Sequence, residues 1–124
     1  MEGEKLMHID HITIRTEKLE ASIEFYENIA GLKIVRDLRK IDAQIVFLAD
    51  AEGDTRIELI EVPTGRGYCG NGISIGFHTN DAAGFREKLL KDGFQASEIV
   101  SPNPSVRFFV VSDPNGVQIQ FVEQ

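Results

Sequence analysis

The residues that could do chemistry fall on alternating positions of short segments. In "HIDHITIR", His11, Thr13 and Arg15 alternate with Ile12 and Ile14. If the two isoleucines turn toward a core, the other three turn to the opposite side of a strand. The same count along three further segments collects Arg56, Glu58 and Ile60, then Ser74, Gly76 and His78, then Gln118, Gln120 and Val122. His11 and Glu58 are good ligands for a divalent metal such as Zn²⁺, Ni²⁺, Mn²⁺ or Fe²⁺. A lone histidine on a strand equally reads as a hydrogen-bonded residue, and Glu58 as the solvent-facing charge of an edge strand. Arg15, Arg56 and His78 form a basic set, and guanidinium forks suit carboxylates and phosphates. The alternative is that both arginines lie at strand ends and pair with surface acids. Cys69 lacks the nearby base that a nucleophile needs.

These residues sit in a chain of 124 residues, long enough for one hydrophobic core and too short for two. The net charge of −7 leaves no basic footprint for nucleic acid and repels anionic membranes. A single cysteine excludes an internal disulfide and a cysteine-based zinc cluster. No apolar run approaches the roughly 20 residues of a membrane span, and "MEGEKLMHID" has no signal-peptide character. A cytoplasmic protein with no nucleic-acid or membrane partner is expected.

The elements that must position the residues read as follows. Residues 9–15 alternate as a strand, and 19–30 form a helix with Leu19, Ile23, Tyr26 and Ala30 at helical spacing, ended by Gly31. Strands follow at 32–40, 43–50 and 55–62, where Pro63 stops the ladder. The glycine-rich stretch 63–72 is a connection. Residues 73–80 then give a strand, and 81–93 a helix with Phe85 and Leu89 inward, capped by Asn80 and ended by Gly93. Strands at 94–100, 106–112 and 117–123 complete the chain, with a loop at 101–105 and the turn "DPNG" at 113–116. Both halves read β-α-β-β-β, and Gly31 matches Gly93 at a spacing of about 62 residues. This is an internal repeat, with modules at about 8–62 and 73–123.

"HIDHITI", "FYENIAGLKIV" (25–35), "IELIE" (57–61) and "DPNGVQIQFVE" (113–123) together resemble the vicinal oxygen chelate superfamily, the glyoxalase, bleomycin-resistance and extradiol dioxygenase group. The resemblance implies an α+β fold: a single domain, 1–124, of two βαβββ modules forming an open, barrel-like sheet around a cavity. Helices then cover the outer side, with Ile12, Ile14, Ile75 and Phe77 beneath them. It also implies a homodimer, because an open sheet leaves strand edges to cover.

Family enzymes place a metal ligand on the first and last strand of each module. Carried over, the four positions are His11, Glu58, Ser74 and Gln120. Ser74 is a poor ligand, and Gln120 is an uncharged amide standing where a glyoxalase-type isomerase needs a carboxylate base. His78 could stand in for Ser74 only across about 13 Å of strand at about 3.3 Å per residue. No cofactor is therefore expected, with a divalent metal on His11 and Glu58 as the alternative. The expected function is binding of a small polar or anionic molecule by Thr13, Arg15, Arg56, Ser74, His78, Gln118 and Gln120. A lactoylglutathione-lyase-like lyase or isomerase using His11 and Glu58 is the second reading. A non-catalytic regulatory or accessory domain is the third. Which molecule is bound is not written in these residues.

Overall fold

A computed structural model describes residues 7–124. They divide into two compact units, one ending at Tyr68 and one spanning Cys69–Gln124, so the boundary falls inside the glycine-rich connection. The repeat seen in the sequence is present in both.

In the first unit, β1 (His11–Thr16), α1 (Leu19–Asn28), β2 (Lys33–Asp37), β3 (Ile45–Ala49) and β4 (Arg56–Glu61) make a sheet of order β1-β4-β3-β2. The first and last strands of the module pair in parallel, and the other pairs are antiparallel. Alternation sorts the side chains. Ile14, Ile57, Leu59, Val46 and Leu48 are buried, as are Leu19, Ser22, Ile23 and Tyr26 along one stripe of α1. Each such aliphatic or aromatic side chain contributes about 1.5–3 kcal/mol by leaving water. Ser22 is tolerated because its hydroxyl donates to the Lys18 carbonyl and meets the Thr16 hydroxyl at 3.1 Å. Gly31, at φ +79°, lets the chain reverse so that the Leu32 N–H reaches the Tyr26 carbonyl.

The second unit repeats this with β5 (Ser74–His78), α2 (Ala82–Lys91), β6 (Val100–Asn103), β7 (Val106–Ser112) and β8 (Gln118–Glu123), in the order β5-β8-β7-β6. Its core is aromatic. Phe85 of α2 lies 4.9 Å from the Phe121 ring and 5.9 Å from that of Phe109, and Phe77 lies 6.0 Å from Phe121. That places Phe77 and the alternate residue Ile75 on the helix side, as Ile12 and Ile14 are in the first unit. Ile12, at the start of its strand, remains 40% exposed.

The structure corrects three sequence expectations. The sixth strand is Val100–Asn103 rather than 94–100, so most of the expected loop at 101–105 is strand. Two prolines suggested a loop, but β6 is the outermost strand and shifts register between Val100 and Asn103, and such an irregular edge tolerates Pro102. Residues 94–99 stay irregular because Phe94 turns back to bond the Leu89 carbonyl. The cap of α2 is Asp81, whose carboxylate accepts from the Gly84 N–H at 3.0 Å, while Asn80 bonds His78. Glu58 does not lie on an edge strand: β4 is internal, between β1 and β3.

Candidate functional site

Strand register aligns the two modules residue by residue. In the first, His11 pairs with Arg56, Thr13 with Glu58 and Arg15 with Ile60. In the second, Ser74 pairs with Gln118, Gly76 with Gln120 and His78 with Val122. Paired residues share a sheet face, so Ser74 stands where His11 stands and Gln120 where Glu58 stands. In both units this is the face turned away from the helix.

On the first unit's face, the sheet brings His11, Thr13 and Glu58 together. The Thr13 hydroxyl donates to Glu58 Oε1 at 2.6 Å, and His11 Nε2 faces the same oxygen at 3.5 Å. The other ring nitrogen, Nδ1, lies 2.7 Å from Asp10 Oδ2. A carboxylate only accepts, so Nδ1 carries the proton of that bond. Arg56 donates to the same Asp10 oxygen at 2.6 Å, and its guanidinium lies 4.6 Å from the centre of the Phe47 ring. The bonds from His11 and Arg56 hold the Asp10 carboxyl below its usual range. Glu58 is 13% exposed, a charge placed at the edge of burial. Arg15 is exposed and has no ion pair among the described residues. A cavity of about 380 Å³ beside the cluster is lined by His8, Asp10, Val35, Arg36, Glu52 and Arg56, among others.

The second unit's face carries amides, a hydroxyl and one imidazole, with no carboxylate or guanidinium at the equivalent positions. Gln118 donates its amide to the Ser112 hydroxyl at 2.9 Å. His78 Nε2 lies 3.1 Å from Asn80 Oδ1. Gln120, half-buried, and the exposed Ser74 complete it. Cys69 is exposed.

These donors do not fit a tightly held divalent metal. Among the described residues, no three His, Cys, Asp or Glu side chains converge to hold one. Asp10 does not add to the His11–Glu58 pair, because it bonds the ring nitrogen on the side away from Glu58. One Glu58 lone pair is already engaged by Thr13, and the register-equivalent Ser74 and Gln120 bring no charge.

Two participants escaped the sequence reading. Asp10 was signalled only by preceding His11. Phe47 could not be assigned a face, because "IVFLA" is apolar at every position and does not alternate.

The family model of the Glyoxalase/Bleomycin resistance protein/Dioxygenase superfamily matches residues 8–121. The chain is 30% identical to the uncharacterized protein YwbC of Bacillus subtilis (strain 168), over 94% of this chain and 97% of that one. It is 25% identical to a lactoylglutathione lyase of Neisseria meningitidis, over 95% and 91% respectively. The solved structure of TnmS3, an antibiotic binding protein from Streptomyces sp. CB03234, superposes with a TM-score of 0.75 at 17% identity, covering 97% of this chain and 98% of that one. Among the described residues, no helix is long and apolar enough to cross a membrane. With the βαβββ repeat and the match across nearly its whole length, the chain belongs to the glyoxalase/bleomycin resistance protein/dioxygenase superfamily.

Proposed function

We propose that this protein binds a small polar or anionic molecule on its open strand faces, without a complete metal site. The observation that carries this reading is the register: Ser74 and Gln120 occupy the positions of His11 and Glu58, and neither is a charged donor. Thr13, Arg15 and Arg56 in one module, and Ser74, His78, Gln118 and Gln120 in the other, are the proposed ligand-binding residues. Arg15 is the cation left for an anionic group, since Arg56 is engaged by Asp10. The superposition on an antibiotic binding protein of the same fold accords with a binding role. The modules are proposed to act as one domain in a cytoplasmic homodimer, because each four-stranded sheet ends on edge strands that a second copy can cover.

A lyase or isomerase of the lactoylglutathione type is the second reading, favoured by the adjacency of His11 and Glu58. It meets a chemical obstacle at Gln120: an amide cannot take the proton that such an isomerisation moves beside a carbonyl. The test is an assay with the methylglyoxal–glutathione adduct in the presence of added Ni²⁺ or Zn²⁺. The expected result is no turnover above background. Turnover that Glu58→Gln abolishes would replace the binding reading with the enzymatic one.

A further inference from the structure

The second module has an unfinished sheet edge where the first has a strand, and the gap is a cavity. Phe47 and Val110 are equivalent, since Phe47 pairs with Glu58 and Val110 with Gln120. Two residues along, Ala49 is therefore equivalent to Ser112. In the first module β2 begins two residues after Gly31, and its Lys33 pairs with Ala49. In the second, β6 begins only at Val100, seven residues after Gly93, and no strand residue pairs with Ser112 on that side.

The backbone alternation shows what is left open. Ser97 N–H donates to the Val110 carbonyl, and the Val110 N–H donates to Ser97 Oγ. Both polar groups of Val110 thus point away from β8, and in an antiparallel ladder those of Ser112, two residues on, point the same way. No bond to the Ser112 N–H or C=O comes from residues 93–97. Those residues instead wall a cavity of about 530 Å³, whose lining includes Phe94, Ala96, Val110, Ser112 and Gln118. No lining residue carries a charge. The Gln118 amide and the Phe94 ring add a polar handle and an apolar plane.

We infer that this cavity binds a neutral, amide-bearing small molecule of peptide-like shape, which pairs with the Ser112 N–H and C=O as the missing strand would. Such pairing supplies a donor and an acceptor in one plane, the recognition used when an extended peptide adds to a sheet edge. The inference shares Gln118 with the function proposed above but rests on the β7 backbone, and the amide–ester comparison reads that backbone pairing whether or not Ser74, Gln120 or Arg15 bind a ligand.

The probe is N-acetyl-alanyl-alanine N-methylamide, titrated into the ¹⁵N-labelled full chain and followed by amide chemical shifts. Saturable shifts centred on Ala96, Ser112 and Gln118 are expected. An otherwise identical depsipeptide, with its central N–H replaced by an ester oxygen, should bind at least tenfold more weakly. Ser112→Pro, which removes the protein's donor, should weaken the amide probe by a similar factor. The ester comparison is made on the unaltered protein, so it decides even if the proline variant does not fold. Equal affinity for amide and ester, shifts centred elsewhere, or no saturable shift at millimolar probe would overturn the inference.

Discussion

The two modules share a backbone register and differ in what they display on it. At equivalent positions the first carries His11, Arg56 and Glu58, tied together through Asp10 and Thr13, while the second carries Ser74, Gln118 and Gln120. On the helix side the modules are alike in kind: Ile57 and Leu59 answer Ile119 and Phe121, all buried. A one-residue slip would turn every core residue to the wrong face, so burial fixes register strongly. The opposite face carries no such constraint, and its chemistry is free to diverge. Sharing the fold therefore does not by itself fix the chemistry displayed on that face. The sheet edges differ in the same spirit, with β2 complete and β6 starting late.

The largest test of this equivalence is in the cores. Phe121→Ala should cost about 4 kcal/mol and Leu59→Ala about 3 kcal/mol in guanidinium unfolding, because each leaves a cavity that the sheet cannot close. A loss below about 1 kcal/mol at either position would break the correspondence. The faces are tested next. Ser74→His together with Gln120→Glu should raise Zn²⁺ affinity at least about a hundredfold in a competition titration, since it supplies an imidazole and a carboxylate. Unchanged affinity would mean that the second module's face cannot be made to match the first.

The helix starts give a smaller contrast. Asp81 caps α2 through the Gly84 N–H, whereas Lys18 at the start of α1 makes no side-chain cap bond. Asp81→Ala should cost about 1 kcal/mol and Lys18→Ala close to nothing, read from the same unfolding curves. The smallest effect is in acid. Asp10 is held below its ordinary range by His11 and Arg56, and Glu123 by the Ala82 N–H and then Arg107. Asp37 is lowered to about 2 by Arg39. A depressed carboxyl stabilises the fold above its unfolded value, and that stabilisation is lost as pH falls through the folded value. For Asp37 the loss runs from about pH 4 down to about 2. Stability measured across that range should fall less steeply in Arg39→Gln than in the unaltered protein, and by little, because the Asp37–Arg39 pair is partly exposed and screened by solvent.

Much of this arrangement is legible in the sequence, and the reasons are physical. The alternation of "HITIR" and "VQIQF" against the helical stripes of Leu19 and Leu89 gives the module and its repeat, because core burial writes itself at fixed periods. That His11 and Glu58 each face away from the core follows from the same count, while their coming together is what the family resemblance implies. Asp10 follows from neither, since its contacts depend on how the chain enters β1. The late start of β6 was also hidden: "FQASEIV" and "SPNPS" carry weak and contrary local signals, and the path is decided by the bonds Phe94 to Leu89 and Ser97 to Val110. The Arg56–Asp10 pair spans 46 positions and is a product of the parallel β1–β4 pairing.

In the proposed reading, His11 and Glu58 stand at two positions where family enzymes carry metal ligands, and Ser74 and Gln120 at their equivalents in the second module bind no metal. Metal analysis of the purified protein by inductively coupled plasma mass spectrometry, after exposure to equimolar Zn²⁺ and Ni²⁺ and desalting, tests it most directly. The predicted result is far less than one metal ion per chain, in the unaltered protein and in His11→Ala alike. One metal ion per chain, lost on His11→Ala or Glu58→Gln, would contradict it.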